Sequence, residues 1–111
     1  MEITQLLKTV HSSWLPFFTE HHDSLAEVIS KINDDVEAGH TILPRPEWIL
    51  RPYKTPLTEI KVLIVGQDPY PNAHHAVGYS FSVTKDTHPL PASLKNIYQD
   101  LKDDLGISRI T

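Results

Sequence analysis

Lys61-Val62-Leu63-Ile64-Val65-Gly66-Gln67-Asp68-Pro69-Tyr70 runs from a buried-strand pattern straight into a tight turn. Its first half is continuously β-branched and aliphatic, without alternation. Such a run reads as a strand covered on both faces, the situation of a parallel sheet. Gly66 permits a sharp exit from that strand. In open α/β sheets the loop beyond a strand's carboxyl end is the usual place for ligands and catalysis. Asp68 puts a single carboxylate there, Pro69 stiffens the turn after it, and Tyr70 offers a flat wall. Prolines on both sides of the tyrosine, Pro69 and Pro71, suggest a loop held in one shape, as a preorganised site needs. Read from the residues alone, this is a carboxylate-based site with an aromatic wall.

Outward from this stretch, three segments show helical periodicity. Ile3, Leu6, Leu7 and Val10 share one face of the first, which ends near Ser12-Ser13. The second starts at Ser24, where Ser24 and Glu27 have capping-box spacing. Leu25, Val28, Ile29, Ile32 and Val36 form its stripe, and Gly39 stops it. The third begins around Ser93, which can cap its first turn, and presents Leu94, Ile97, Tyr98, Leu101 and Leu105 before Gly106. All three read as surface helices packed on a core. Between the second and third, residues 41–56 contain Pro44, Pro46, Pro52 and Pro56, which forbid regular ladders. Trp48, Ile49 and Leu50 are the anchors of this irregular approach. A weaker, alternating strand is predicted at Tyr79-Ser80-Phe81-Ser82-Val83. The expected fold is therefore α/β, three-layered, with a short central parallel sheet flanked by helices. One strong and one weak strand are few for such a sheet, and the chain stops five residues after Gly106. It reads as a single partial domain over 1–111, truncated after its first strands.

Composition narrows the class further. The chain has 111 residues, 40% hydrophobic and 22% charged, which suits one ordinary globular domain. Val62-Leu63-Ile64-Val65 is the longest purely apolar run, too short to span a membrane. Met1-Glu2-Ile3-Thr4 lacks the basic start of a secretory signal. With no cysteine there is no disulfide and no thiolate metal site, which fits a reducing compartment. The net charge of −4 argues mildly against nucleic acid. An enzyme that grips a few phosphates through N–H groups and hydroxyls needs only local complementarity, so that objection is weak.

Three blocks, in order and spacing, resemble family 1 uracil-DNA glycosylases. They are Gly66-Gln67-Asp68-Pro69-Tyr70, His75-Ala76-Val77-Gly78-Tyr79-Ser80-Phe81-Ser82-Val83, and Pro89-Leu90-Pro91-Ala92-Ser93-Leu94-Lys95-Asn96-Ile97-Tyr98. The likeness covers most of the chain from about Trp48 onward, and residues 61–65 match that family's first core strand. It implies excision of uracil from DNA by hydrolysis of the N-glycosidic bond, opening base-excision repair without cofactor or metal. Asp68 would activate the water that attacks C1′ and favour the oxocarbenium-like sugar. Gln67 would contact uracil largely through its backbone. Tyr70 would exclude thymine by clashing with its methyl group. Phe81 would stack on the flipped-out base. Pro89, Pro91 and Ser93 would press on the DNA backbone, with Ser93 touching a phosphate. The implied partner is uracil-containing DNA, single- or double-stranded, and the implied setting a monomeric enzyme of the bacterial cytoplasm.

Two departures from the family pattern stand out. Pro71 replaces the histidine more often found after the tyrosine, a form associated with some bacterial members. The uracil-reading asparagine, the Gly-Ser backbone clamp, the catalytic histidine and the leucine-bearing DNA loop have no counterpart in this chain. The resemblance thus implies the N-terminal half of the enzyme. Its rivals are a catalytically inactive fragment of it and an unrelated small α/β nucleotide-binding module. Taken singly, Asp68 could cap a turn, Tyr70 and Phe81 could be packing residues, and helix capping would fully explain Ser93. The pairs His21-His22 and His74-His75 lack the partners of a metal site, because adjacent imidazoles rarely face one ion. Gly66 with Gly78 lacks the Gly-Lys-Ser/Thr of a phosphate-cradling loop. Asp100, Asp103 and Asp104 read as a solvated helix face.

Overall fold

Helices and tight turns make up the regular structure of the computed structural model, which describes residues 1–108. Helix α1 is Ile3–Leu7, α2 is Leu15–Glu20, α3 is His22–Glu37 and α4 is Ala92–Leu105. Turns of 3₁₀ helix lie at Ser12–Trp14, Pro46–Trp48, Arg51–Lys54 and Leu57–Glu59. The sequence reading has no counterpart of α2. Pro16 sits in its first turn, where its missing N–H costs nothing, and Phe18 points inward.

Helix boundaries depart from the expected caps for local reasons. Helix α3 starts two residues early, with His21 at the N-cap, and no side chain caps it. Ser24 therefore lies within the first turn, and the capping box with Glu27 does not form. Asp23 supplies the first-turn negative charge that suits a helix N-terminus. Similarly, Pro91 is the N-cap of α4, and Ser93 stands inside the helix without capping it. The C-terminal signals hold: Gly39 and Gly106 both take positive φ, +91° and +67°, just beyond α3 and α4.

Packing is concentrated near the N-terminus. Leu6, Phe18, Ile29 and Leu50 form the core, with Trp14, Leu25, Ile49 and Tyr53 packed against it. Trp14 and Tyr53 meet edge-on at 4.8 Å between ring centroids, and Phe18 meets Tyr53 at 4.9 Å. Such pairs contribute about 0.5–1.5 kcal/mol beyond their burial. The Trp14 indole N–H donates to the Thr55 carbonyl at 2.8 Å, and the His11 N–H to that of Tyr53 at 2.8 Å. Ser13 Oγ accepts from the Leu57 N–H at 2.9 Å. The proline-rich approach segment is thus tied to the N-terminal helices, and Leu50 is its buried anchor.

The α/β architecture is not what the chain adopts. Among the described residues there is no strand, so the expected parallel sheet and three-layer arrangement are corrected to a helical and irregular fold. Residues 61–65 take no regular structure and make no backbone hydrogen bond among the described residues, and Val62, Leu63, Ile64 and Val65 are 76%, 80%, 60% and 82% exposed. In the segment 79–83, residues 79–82 form a turn closed by the Ser82 N–H on the Tyr79 carbonyl, with Phe81 at φ +63°. The physical reason is the absence of neighbours. Strand pairing needs a second backbone, and a run apolar on both faces needs a covering layer on each. Two global measures agree. The accessible surface is 8436 Å², whereas a compact protein of this size exposes about 6,200 Å². The radius of gyration is 16.2 Å against about 13 Å. No helix among the described residues is long and apolar enough to cross a membrane.

This uneven packing predicts an uneven mutational response. Phe18→Ala should cost about 3 kcal/mol or more in urea unfolding, whereas Leu63→Ala should cost less than about 0.5 kcal/mol. An equal loss at both positions would show that residue 63 is covered.

Candidate active site

Two loops converge on one cavity. Gly66, Gln67, Asp68, Pro69, Tyr70 and Pro71 line one side, and residues 75–81 line the other, with Pro44 and Ile49 beneath. The cavity measures about 610 Å³, within the roughly 300–1,000 Å³ of ligand pockets. The loops approach closely: a Cβ added to Gly66 would lie 3.3 Å from Ser80 Oγ. Asn72 shapes the intervening chain. Its side-chain oxygen accepts from the His74 N–H at 2.8 Å, and its carbonyl accepts from the amides of His75 and Ala76. This is the backbone-mimicking turn that asparagine favours.

The second loop is clamped from below by Arg51. Its guanidinium lies between the rings of Trp48 and Tyr79, at 4.6 and 4.8 Å, and donates to the Val77 carbonyl. Arg45 covers Trp48 as well, at 4.8 Å, and pairs with Glu47. Hydrogen bonding to its own backbone N–H, then to Arg45, holds the Glu47 carboxyl below its ordinary range. At Gly78, φ is +90°, and a Cβ would sit 2.6 Å from the Trp48 carbonyl oxygen. Only glycine fits there.

Tyr70 is the best-held of the sequence-predicted residues. Its hydroxyl donates to the Phe81 carbonyl at 3.2 Å and stands 3.1 Å from Ser93 Oγ. The edge of its ring meets His75 at 6.0 Å between centroids. Asp68, Gln67, Tyr70 and Phe81 all line the cavity. Asp68 is exposed to solvent, and its carboxylate makes no hydrogen bond or ion pair among the described residues. Ser93 stands behind Tyr70, outside the lining, and Pro89 and Pro91 are outside it too. Sequence reading missed Arg51, His75, Pro44 and Ile49. Only the anchor stretch around Trp48 hinted at the last of these, and nothing local marks an arginine that stacks across 28 residues. Chemically, the cavity offers one unencumbered carboxylate, the aromatic rings of Tyr70, Tyr79 and Phe81, and a glycine-opened backbone to a flat, polar ligand.

Similarity to known proteins is consistent and partial. A uracil-DNA glycosylase of Nocardioides sp. is 44% identical over 94 residues, which are 85% of this chain and 41% of that protein. One of Mycolicibacterium gilvum is 42% identical over 106 residues, 96% of this chain and 47% of its own length. One of Thermobifida fusca is 40% identical over 101 residues, 91% and 44% respectively. The chain spans about half the length of the curated relatives it matches. No family model matches it.

The Gly78 contact makes a direct prediction. Gly78→Ala should destabilise the chain by about 1–3 kcal/mol in chemical unfolding, through both its φ and the clash with the Trp48 carbonyl. A Gly39→Ala control, where a Cβ meets nothing within 4 Å, carries the φ penalty alone and should cost less. Equal costs would remove the close approach from the explanation.

Proposed function

From the premise that this chain belongs to the uracil-DNA glycosylase family, we propose that it carries the water-activating part of a uracil-excision site. The observation that supports this most is the meeting of Asp68, Gln67, Tyr70 and Phe81 on one cavity. In the proposed reaction, the bond between C1′ of deoxyribose and N1 of uracil breaks, and its electron pair leaves with the base. Water oxygen then bonds to C1′. Asp68 orients that water and takes its proton, while its charge favours the cationic sugar. Uracil reaches the cavity by leaving the base stack. Phe81 stacks on it, Gln67 contacts it through the backbone, and the Tyr70 ring stands where the methyl of thymine would lie. Pro89, Pro91 and Ser93 meet the DNA backbone beside the site.

DNA containing uracil, single- or double-stranded, is the proposed partner, with the chain acting as a monomer in the bacterial cytoplasm. The net charge of −4 places the burden of phosphate contact on local amides and hydroxyls. A second reading is favoured by the openness of the site. Asp68 is exposed and the neighbouring aliphatic run is uncovered, so the chain alone excludes little water from the cavity. On that reading the 111-residue chain is an inactive part, corresponding to the N-terminal portion of the catalytic domain.

Incubating the chain with an oligonucleotide that carries one uracil, then scoring alkali-labile sites, decides between them. Activity that falls about 100-fold or more in Asp68→Asn is the outcome expected of a competent site. Absence of cleavage by a folded chain assigns it to the inactive reading. Uracil release that survives Asp68→Asn removes Asp68 from its role.

A further inference from the structure

The hydroxyl of Tyr70 has one hydrogen to give and two neighbours that could take it. The Phe81 carbonyl, 3.2 Å away, can only accept. If the Tyr70 hydrogen points there, the contact of 3.1 Å with Ser93 Oγ must be donated by Ser93. Ser93 makes no capping bond to α4, so its hydroxyl is not otherwise engaged by the helix. Phe81 is the one non-glycine residue with positive φ among the described residues, at +63°, a conformation that a bulky side chain holds only under constraint. Its carbonyl is the atom that Tyr70 fixes.

We propose that Ser93 is a positioning residue: it donates to the Tyr70 hydroxyl, which in turn holds the strained Phe81 turn, so that α4 sets the Tyr70 and Phe81 walls of the cavity. The latch itself stands on these contacts alone, and its meaning for uracil rests on the function proposed above. One consequence concerns DNA. A phosphate oxygen only accepts hydrogen bonds, so the Ser93 hydroxyl can donate to Tyr70 or to a phosphate but not to both, and accepting from Tyr70 instead would take the Tyr70 hydrogen away from the Phe81 carbonyl. A phosphate contact made by that hydroxyl therefore unlatches Tyr70, whereas one made by a backbone N–H leaves it latched.

Native-state chymotrypsin cleavage after Phe81, followed by mass spectrometry on the folded 111-residue chain, reads the latch without any ligand. Ser93→Ala should speed that cleavage about fivefold, the scale of one neutral hydrogen bond. Ser93→Thr, which keeps the hydroxyl, should restore it. In a Tyr70→Phe background, Ser93→Ala should add nothing, because the two act as one unit. A Ser93→Ala effect that persists undiminished in Tyr70→Phe would overturn the proposal, as would no effect at all. Because alanine is a good helix former and the serine caps nothing, loss of fold does not confuse the result; circular dichroism of each variant checks it. Protection of the same bond by free uracil reports on the pocket separately. Coupling without protection upholds the latch and counts against uracil, and protection without coupling overturns the latch alone.

Discussion

The edge-on contact of Trp14 with Tyr53, closed by the indole N–H on the Thr55 carbonyl, is the hinge on which the rest depends. It joins the N-terminal helices to the proline-rich approach segment across 39 to 41 residues of chain. The edge-on contact of Phe18 with Tyr53, Leu50 in the core, the His11 N–H on the Tyr53 carbonyl and the Leu57 N–H on Ser13 Oγ reinforce the same junction. From Leu50 the next residue is Arg51, and Arg51 grips Val77 and Tyr79. A path of direct contacts therefore leads from a small hydrophobic core to the floor of the cavity. Its cost in chain entropy is moderated by Pro46, Pro52 and Pro56, whose fixed φ leaves the unfolded segment fewer states to lose.

The other loop of the cavity has no such support. Residues 61–65 reach Gly66 without regular structure and uncovered, so Gln67 and Asp68 are positioned by Pro69, by the close approach of Gly66 to Ser80 and by Tyr70. Four exposed aliphatic side chains in a row amount to an apolar patch of the kind that ordinarily meets another surface. Burial of a Val, Leu or Ile side chain stabilises by about 1.5–3 kcal/mol, so this run withholds several kcal/mol from the fold. The same run that most strongly suggests a strand is thus the largest unsatisfied demand in the structure.

That tension explains what could be read from the sequence. Local signals were legible: Gly39 and Gly106 end their helices, Leu50 anchors its segment, and the acidic face of α4 is exposed. The cavity was legible too, because Asp68, Gln67 and Tyr70 adjoin in sequence, and Phe81 follows at the spacing that the motif blocks suggested. Sheet formation was not, since a strand pattern states only what a segment would do given neighbours. The pattern at residues 61–65 is a property of the segment; the missing layers are a property of the whole. Ser93 illustrates a subtler limit. Its residue type and place before an apolar run fit a cap, yet Pro91 takes that position and frees the serine for Tyr70.

Chemistry raises the same issue at the carboxylate. A charge stabilises a developing cation far more in a water-excluded site than in open solvent, because the effective dielectric falls several-fold. Asp68 stands in solvent, while Tyr70 beside it is half-buried and doubly bonded. The walls of the cavity are thus more fully preorganised than its acid. The proposed recognition of a flat base requires fixed walls, and the contacts of Tyr70 with Ser93 on α4 and the Arg51 clamp would supply them. Catalysis requires, in addition, a low-dielectric surrounding for the carboxylate, and the uncovered run just before it is where that surrounding would have to be built. Covering residues 62–65 would therefore do two things at once: satisfy the apolar demand of the fold and strengthen the field of Asp68 within the cavity, as the proposed mechanism requires.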